Sequence, residues 1–318
     1  MLSALAAALC LGSCDKNEEA IVDNGAVRFT AGIGRDAVAT PQSRASGTDW
    51  HADDAIGIFM VTHGNTDIAE AAENKKYTTA TGNGNFAAVL GHEIYYPMDN
   101  AKVDFIAYYP HKEGTALDTP LDVEIATAQT SDTQAATDLM WAKATNAAPA
   151  TPAVPGPGYT KDGTTAPVKF TFGHCLSKLT MNCTVDNNVG AASLLNDATT
   201  TVTVRGMKTT STFDLATGTL TGTPGTPTDI TARKLSIAPA DYDGAYDAII
   251  LPAEYGDGVL SVDFEINGET FTWNVGAITF EPGNEYIYKV KITRTGVTAE
   301  GSITSWNPVG SRDEVIAN

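Results

Sequence analysis

Beyond residue 24, apolar and polar residues alternate one for one in segment after segment, and this two-residue period constrains the fold more than any other feature. The stretch "VRFTAGIG" sets Val27, Phe29, Ala31 and Ile33 against Arg28, Thr30 and Gly32, the pattern of a strand with one buried face. "AIGIFMV", "KVDFIAYYP", "VKFTFGHCLSKLTMNCTV", "TVTVRGM", "YDAIILPAEY", "VLSVDFEINGETFTWNV", "EYIYKVKITRTG" and "EGSITSW" continue the series. Asn267-Gly268 reads as a hairpin turn, because both residues accept positive φ, and Pro282-Gly283 as a second turn. Helical signal is confined to "DIAEAAEN" (67–74) and "AASLLND" (191–197). The runs 146–167 and 215–229 are Pro/Gly/Thr-rich loops. A chain of 318 residues has room for two all-β domains. The sequence therefore predicts an all-β protein of two β-sandwiches in tandem, residues 24–185 and 186–318.

The first residues carry a different message. "MLSALAAALCLGSC" is an apolar run too short to cross a bilayer, ending in small residues like a processed export signal. Residues 1–13 read as that signal and 14–23 as a tether. The formal net charge is −18 with no cluster of Lys or Arg, which argues against nucleic acid as a partner. Two of the four cysteines lie within the first fourteen residues. The other two, Cys175 and Cys183, would stand roughly 25 Å apart along one continuous strand, too far to bridge, so both read as buried thiols or at most as partners of distant residues.

Chemistry is sparse. The five histidines show no metal-ligand spacing, and no nucleophile elbow or phosphate loop is present. "GNGNF" (82–86) has glycines without the strand-to-helix setting that would cradle phosphate. "DYDGAYD" (241–247) offers three aspartates but not the remaining ligands of a Ca²⁺ loop, and reads as an acidic turn. His174, in a strand with Phe170 and Phe172, reads as a hydrogen-bonded, half-buried side chain rather than a ligand. No cofactor is implied, and no pair of carboxylates stands out as catalytic. Tyr159 and Tyr242, placed in loops, are the aromatics able to stack on a sugar.

Several motifs, in order, resemble the fimbrillin family of Bacteroidales, the Mfa-like and FimA-like pilins and related surface adhesins. They are "RASGTDWHADDAIGIFM" (44–60), "VDFIAYYPH" (103–111), "ATDLMWA" (136–142), "VKFTFGHCLSKLTM" (168–181), "YDAIILPAEY" (246–255), "FEPGNEYIYKVKIT" (280–293) and "GSITSW" (301–306). The resemblance implies two transthyretin-like β-sandwich domains and a non-enzymatic role in pili or adhesion. "LGSC" resembles a bacterial lipobox, which makes Cys14 the lipid-bearing residue and the outer membrane the site of anchoring.

The resemblance further implies maturation by an arginine-specific protease at Arg44–Ala45, with loss of the strand that carries Val27, Phe29, Ala31 and Ile33. A strand of another pilus subunit would refill the vacated groove. Burying Val27, Phe29 and Ile33 is worth about 5–9 kcal/mol, a substantial drive for refilling. The C-terminal "WNPVGSRDEVIAN" departs from the family pattern. Pro308, Gly310, Arg312, Asp313 and Glu314 make it a poor donor strand, and "VTAEGSI" is the better alternating segment nearby. The alternative expectation is a surface lipoprotein that does not polymerise and binds a host glycan or protein.

Overall fold

The computed structural model describes residues 25–34, 49–147, 156–164 and 166–306, with the backbone of 315–316. Seven strands of the first half form a closed barrel. In chain order they are β1 (Phe29–Ile33), β2 (Asp54–Thr62), β3 (Lys75–Thr79), β4 (Asn85–Ala88) and β5 (Val103–Tyr109), followed after one strand outside the barrel, β6 (Leu121–Glu124), by β7 (Met140–Ala144) and β8 (Val168–His174). The order around the barrel is β1-β4-β3-β2-β5-β7-β8. The expected first sandwich is thus closed at its sides. β1 does this by pairing antiparallel with β4 and parallel with β8, which removes the edges an open sandwich would leave.

The second half contains β9 (Ser177–Val185), β10 (Thr201–Lys208), β11 (Thr210–Asp214), β12 (Thr219–Leu220), β13 (Pro227–Thr231), β14 (Arg233–Lys234), β15 (Gly244–Ile250) and β16 (Glu254–Tyr255). It continues with β17 (Leu260–Ile266), β18 (Glu269–Val275), β19 (Ile278–Thr279), β20 (Asn284–Thr293), β21 (Gly296–Ser305) and β22 (Val315–Ile316). A four-stranded sheet, β13-β10-β17-β18, and a six-stranded sheet, β14-β15-β9-β20-β21-β22, account for most of it. Asn267 and Gly268 both take positive φ, 51° and 80°, as the β17–β18 hairpin requires.

The long strand expected over 168–185 is two strands in different sheets. Phe170, Phe172 and His174 are buried at even positions, Leu179, Met181 and Cys183 at odd ones. One straight strand cannot bury both sets on one face, so the chain turns at Cys175–Leu176. Sheet membership therefore changes ahead of the boundary expected near 185. Cys175 and Cys183 are free and buried, and burial pushes both thiols up.

The halves are joined by more than a linker. β6, from the first half, pairs with β11, and Leu121, Val123 and Ile125 enter the core of the second half. A helix absent from the expectations, α1 (Ser131–Thr137), is started by a capping box between Thr130 and Thr133, which satisfies amides at its first turn. It carries Gln134 to the buried Asp247 on β15, at 3.0 Å. Gln129 accepts from the Ile249 amide at 2.8 Å and donates to the Ile249 carbonyl at 2.6 Å. Arg233 Nε donates to Asp247 at 2.7 Å, and Lys178 stands 3.6 Å away. The second expected helical segment is a 3-10 turn, Ala192–Asn196. The first, 67–74, is irregular, with positive φ at Glu70, Ala71 and Asn74.

Candidate functional site

The seam closed by β1 gathers four of the residues singled out in the sequence. Alternation turns Val27, Phe29, Ala31 and Ile33 inward, where their exposures are 5, 2, 7 and 1%. Five residues of β1 pair in parallel with β8, from Phe29 opposite Val168 to Ile33 opposite Phe172. Only Phe29 and Thr30 pair with β4. The Val27 amide donates to the Ile94 carbonyl at 2.9 Å and the Gly34 amide to the Phe172 carbonyl, also at 2.9 Å.

Phe29 is the anchor of the strand. Its ring meets Tyr77 edge-on at 5.0 Å and Phe105 at 5.2 Å, and stacks on Phe170 at 5.6 Å. Tyr77, its hydroxyl accepting from the Ile94 amide at 3.0 Å, has its phenol pushed up to about 12, chiefly by burial. Rings from β3, β5 and β8 thus form a socket around one side chain, an arrangement that rewards aromatic edge-to-face geometry beyond area alone.

Two elements that the sequence reading passed over complete the seam. Trp50, which lies within the 44–60 motif, donates from Nε1 to the Ala31 carbonyl at 2.9 Å and packs edge-on against Phe86, Tyr109 and Phe172. The glycines of "GNGNF" serve close backbone approach. Gly82 and Gly84 have φ of 69° and 77°, and a Cβ on Gly84 would stand 2.4 Å from the Ala31 carbonyl oxygen. The Ala31 amide donates to the Gly84 carbonyl at 2.8 Å. The alternation of glycines just ahead of a strand was the available signal.

Cys14, Arg44 and Ala45 lie outside the described residues. In sequence, Arg44 falls between the end of β1 and Trp50. "VTAEGSI" belongs to β21, which pairs with β20 from Gly296 to Ser305, and Val315–Ile316 pairs at the outer edge of β21.

Other candidates resolve differently. Tyr159 is not an exposed loop aromatic. It is buried in the barrel core, its amide and carbonyl bonded to Val103 at 2.8 and 3.0 Å, because its flanking loop adds a bridge beside β5. Tyr242 is half-buried. His174 is fully buried rather than half-buried: Nδ1 lies 2.9 Å from Asp138, and the ring stacks on Trp306 at 3.9 Å. Asp243 accepts from the Val185 amide at 2.9 Å and Asp247 serves the inter-half network, so "DYDGAYD" is spent on structure. No cluster suited to a metal ion occurs among the described residues. A cleft of about 540 Å³ lies between the halves, walled mainly by Trp141, Phe213, Leu220, Phe280 and Pro282.

Relatives share this architecture. Residues 43–306 match the family described as Fimbrillin-like. The chain is 30% identical to a candidate fimbrium subunit of Bacteroides uniformis, Fim1C, over 97% of this chain and 95% of that protein. The crystal structure of a candidate cell adhesion protein from Bacteroides uniformis aligns with a TM-score of 0.67 at 29% identity, covering 89% of this chain and 99% of that one. A candidate cell adhesion protein from Bacteroides ovatus shares the fold with a TM-score of 0.63 at 20% identity, over 90% of this chain and 99% of the other. With most of its length matched, the chain belongs to the fimbrillin-like family, whose members are structural and adhesion proteins rather than enzymes.

Proposed function

We propose that this chain is a cell-surface pilus subunit or adhesin, made as a precursor held in the outer membrane by acylation of Cys14. An arginine-specific protease cuts Arg44–Ala45, β1 leaves, and a strand from another pilus subunit takes its place. The observation that carries this reading is the barrel seam. A single short strand, buried along one face and joined to the rest of its barrel across a long connection, closes the barrel. Its loss would uncover the Phe29 socket and the unpaired edges of β4 and β8 together. Acyl chains, each buried CH₂ contributing about 0.8 kcal/mol, would hold the precursor until the cut. Head-to-tail filling of such a slot does not close on itself and extends as a filament.

The pairing of β21 with β20 along its whole length, and the charged, Pro- and Gly-bearing tail beyond it, favour this chain as acceptor rather than donor. That suits an accessory or terminal place in the fibre. The non-polymerising, ligand-binding alternative loses one of its two loop aromatics with the burial of Tyr159 and keeps the half-buried Tyr242.

The test is the mature N-terminus together with assembly. Mass spectrometry of surface material should find acylated Cys14 in the precursor and free Ala45 in assembled material. Arginine-specific digestion of the purified precursor, with partner subunits present, should give SDS-resistant higher species that Arg44→Ala abolishes. Assembly that persists undiminished with Arg44→Ala sinks this route.

A further inference from the structure

We propose that the slot occupied by β1 selects its strand by a large-then-small code: an aromatic ring at the position of Phe29 and a side chain no larger than alanine at that of Ala31. The proposal rests on the strand-exchange reading above and adds to it the chemistry of the partner strand. The aromatic requirement follows from the socket of Tyr77, Phe105 and Phe170, whose rings lie 5.0–5.6 Å from that of Phe29. An aliphatic side chain in that place forgoes the edge-to-face pairing with Tyr77 and Phe105 and the stacking on Phe170.

The small requirement follows from the clamp two residues on. Ala31 lies opposite Phe170 in the β8 register, and Phe170 and Phe172 stand 5.9 Å apart. Trp50 packs on Phe172 at 5.2 Å while bonding to the Ala31 carbonyl at 2.9 Å. On the other side the Gly84 backbone lies against the same residue. Ala31 is buried in one cluster with Phe29, Trp50, Phe170 and Phe172, with main chain pressed on the strand. Overfilling a packed site of this kind forces rotamer and backbone shifts. The clamp also fixes register, since a slip of two residues would bring the large side chain against Trp50.

This chain's own C-terminal segments do not carry the code. Laid in phase, β21 offers Val297, Ala299, Gly301 and Ile303, with no ring for the socket. Residues 309–317 offer Val309, Ser311, Asp313, Val315 and Ala317, with a carboxylate at the small position. The occupant that fits the slot is an extended segment reading aliphatic-x-aromatic-x-Ala or Gly-x-aliphatic, as Val27, Phe29, Ala31 and Ile33 do.

The test uses the full chain, cut by an arginine-specific protease between β1 and Trp50, and challenged with labelled nine-residue peptides. A peptide of residues 26–34 should exchange into the cut protein, as read by native mass spectrometry and anisotropy. The same peptide with Phe29→Ala should bind at least about 100-fold more weakly, and with Ala31→Leu about 10-fold or more. A peptide of residues 296–304 should compete no better than the Phe29→Ala peptide. Equal binding by all four peptides overturns the code while leaving strand exchange standing. Failure of every peptide to exchange overturns strand exchange and the code with it. In the uncut chain, Ala31→Leu should lower the melting temperature and Ala31→Gly should change it less. An unchanged melting temperature for Ala31→Leu also overturns the code, whatever the peptides do.

Discussion

β1 and β20 are the same device used to opposite ends. Each is a strand from near one end of the described chain that pairs in parallel with one of two consecutive strands, β1 with β8 and β20 with β9. β20, however, sits inside its sheet. It pairs with β9 over eight residues and with β21 over ten, through the short connection at Arg294–Thr295. β1 is flanked by two partners but pairs with one of them over only two residues, and it reaches Trp50 through a connection of more than a dozen residues. A central strand held by a tight hairpin cannot leave without dismantling its sheet. A closing strand on a long connection can, provided that its slot is refilled. The difference lies in connection and pairing, since both strands bury most of one apolar face.

The largest expected effect comes from removing β1. Deleting residues 25–34 should cost about 5–9 kcal/mol of burial, on the scale of a whole domain's stability of ~5–15 kcal/mol. Equilibrium unfolding should show barrel aromatics losing near-UV signal and binding a hydrophobic dye, and a deletion that melts like the intact chain would refute the closing role. Next, Phe29→Ala and Ile292→Ala should each destabilise, by about 3–5 and 2–5 kcal/mol. In protein cut after Arg44 they should separate. Phe29→Ala should speed loss of the β1 fragment, whereas Ile292→Ala should release nothing.

Asp247→Ala tests the junction between the regions. It leaves Arg233 and Gln134 without their buried partner, which should cost about 3–5 kcal/mol and lower the urea midpoint. Independent melting of the halves in this variant would show that the network makes their unfolding cooperative. Alkaline pH gives a smaller effect on the Phe29 socket. Burial raises the Tyr77 phenol to about 12, so its contribution is complete below the unfolded value of ~10 and is lost as pH rises from there to 12, at most about 3 kcal/mol. Tyr77→Phe should flatten that part of the pH profile. Smallest of all, Glu269→Gln breaks an exposed ion pair with Arg294 at 3.0 Å and should shift stability by less than about 1 kcal/mol.

Much of this is legible from residues alone. The alternation at Val27, Phe29, Ala31 and Ile33 states which face of β1 is buried, and Asn267-Gly268 states where a hairpin turns. The even-to-odd switch from Phe170, Phe172 and His174 to Leu179, Met181 and Cys183 also states that the strand must break, although the run reads as one strand when parity is ignored. Tyr159 and α1 escaped for another reason. A loop tyrosine looks the same in sequence whether it faces water or core, and a seven-residue helix is too short for its periodicity to exceed noise.

The sequence by itself determined the β class, the inward set of β1 and the family, because these rest on local period and ordered motifs. Only the tertiary structure decided that β1 closes a barrel, that Trp50 and Gly84 clamp it at Ala31, and that Gln134 reaches Asp247 across the two halves. Those contacts join residues far apart along the chain. No local pattern encodes a pairing whose partner is chosen by which edges, rings and backbone groups remain unsatisfied once everything else has folded.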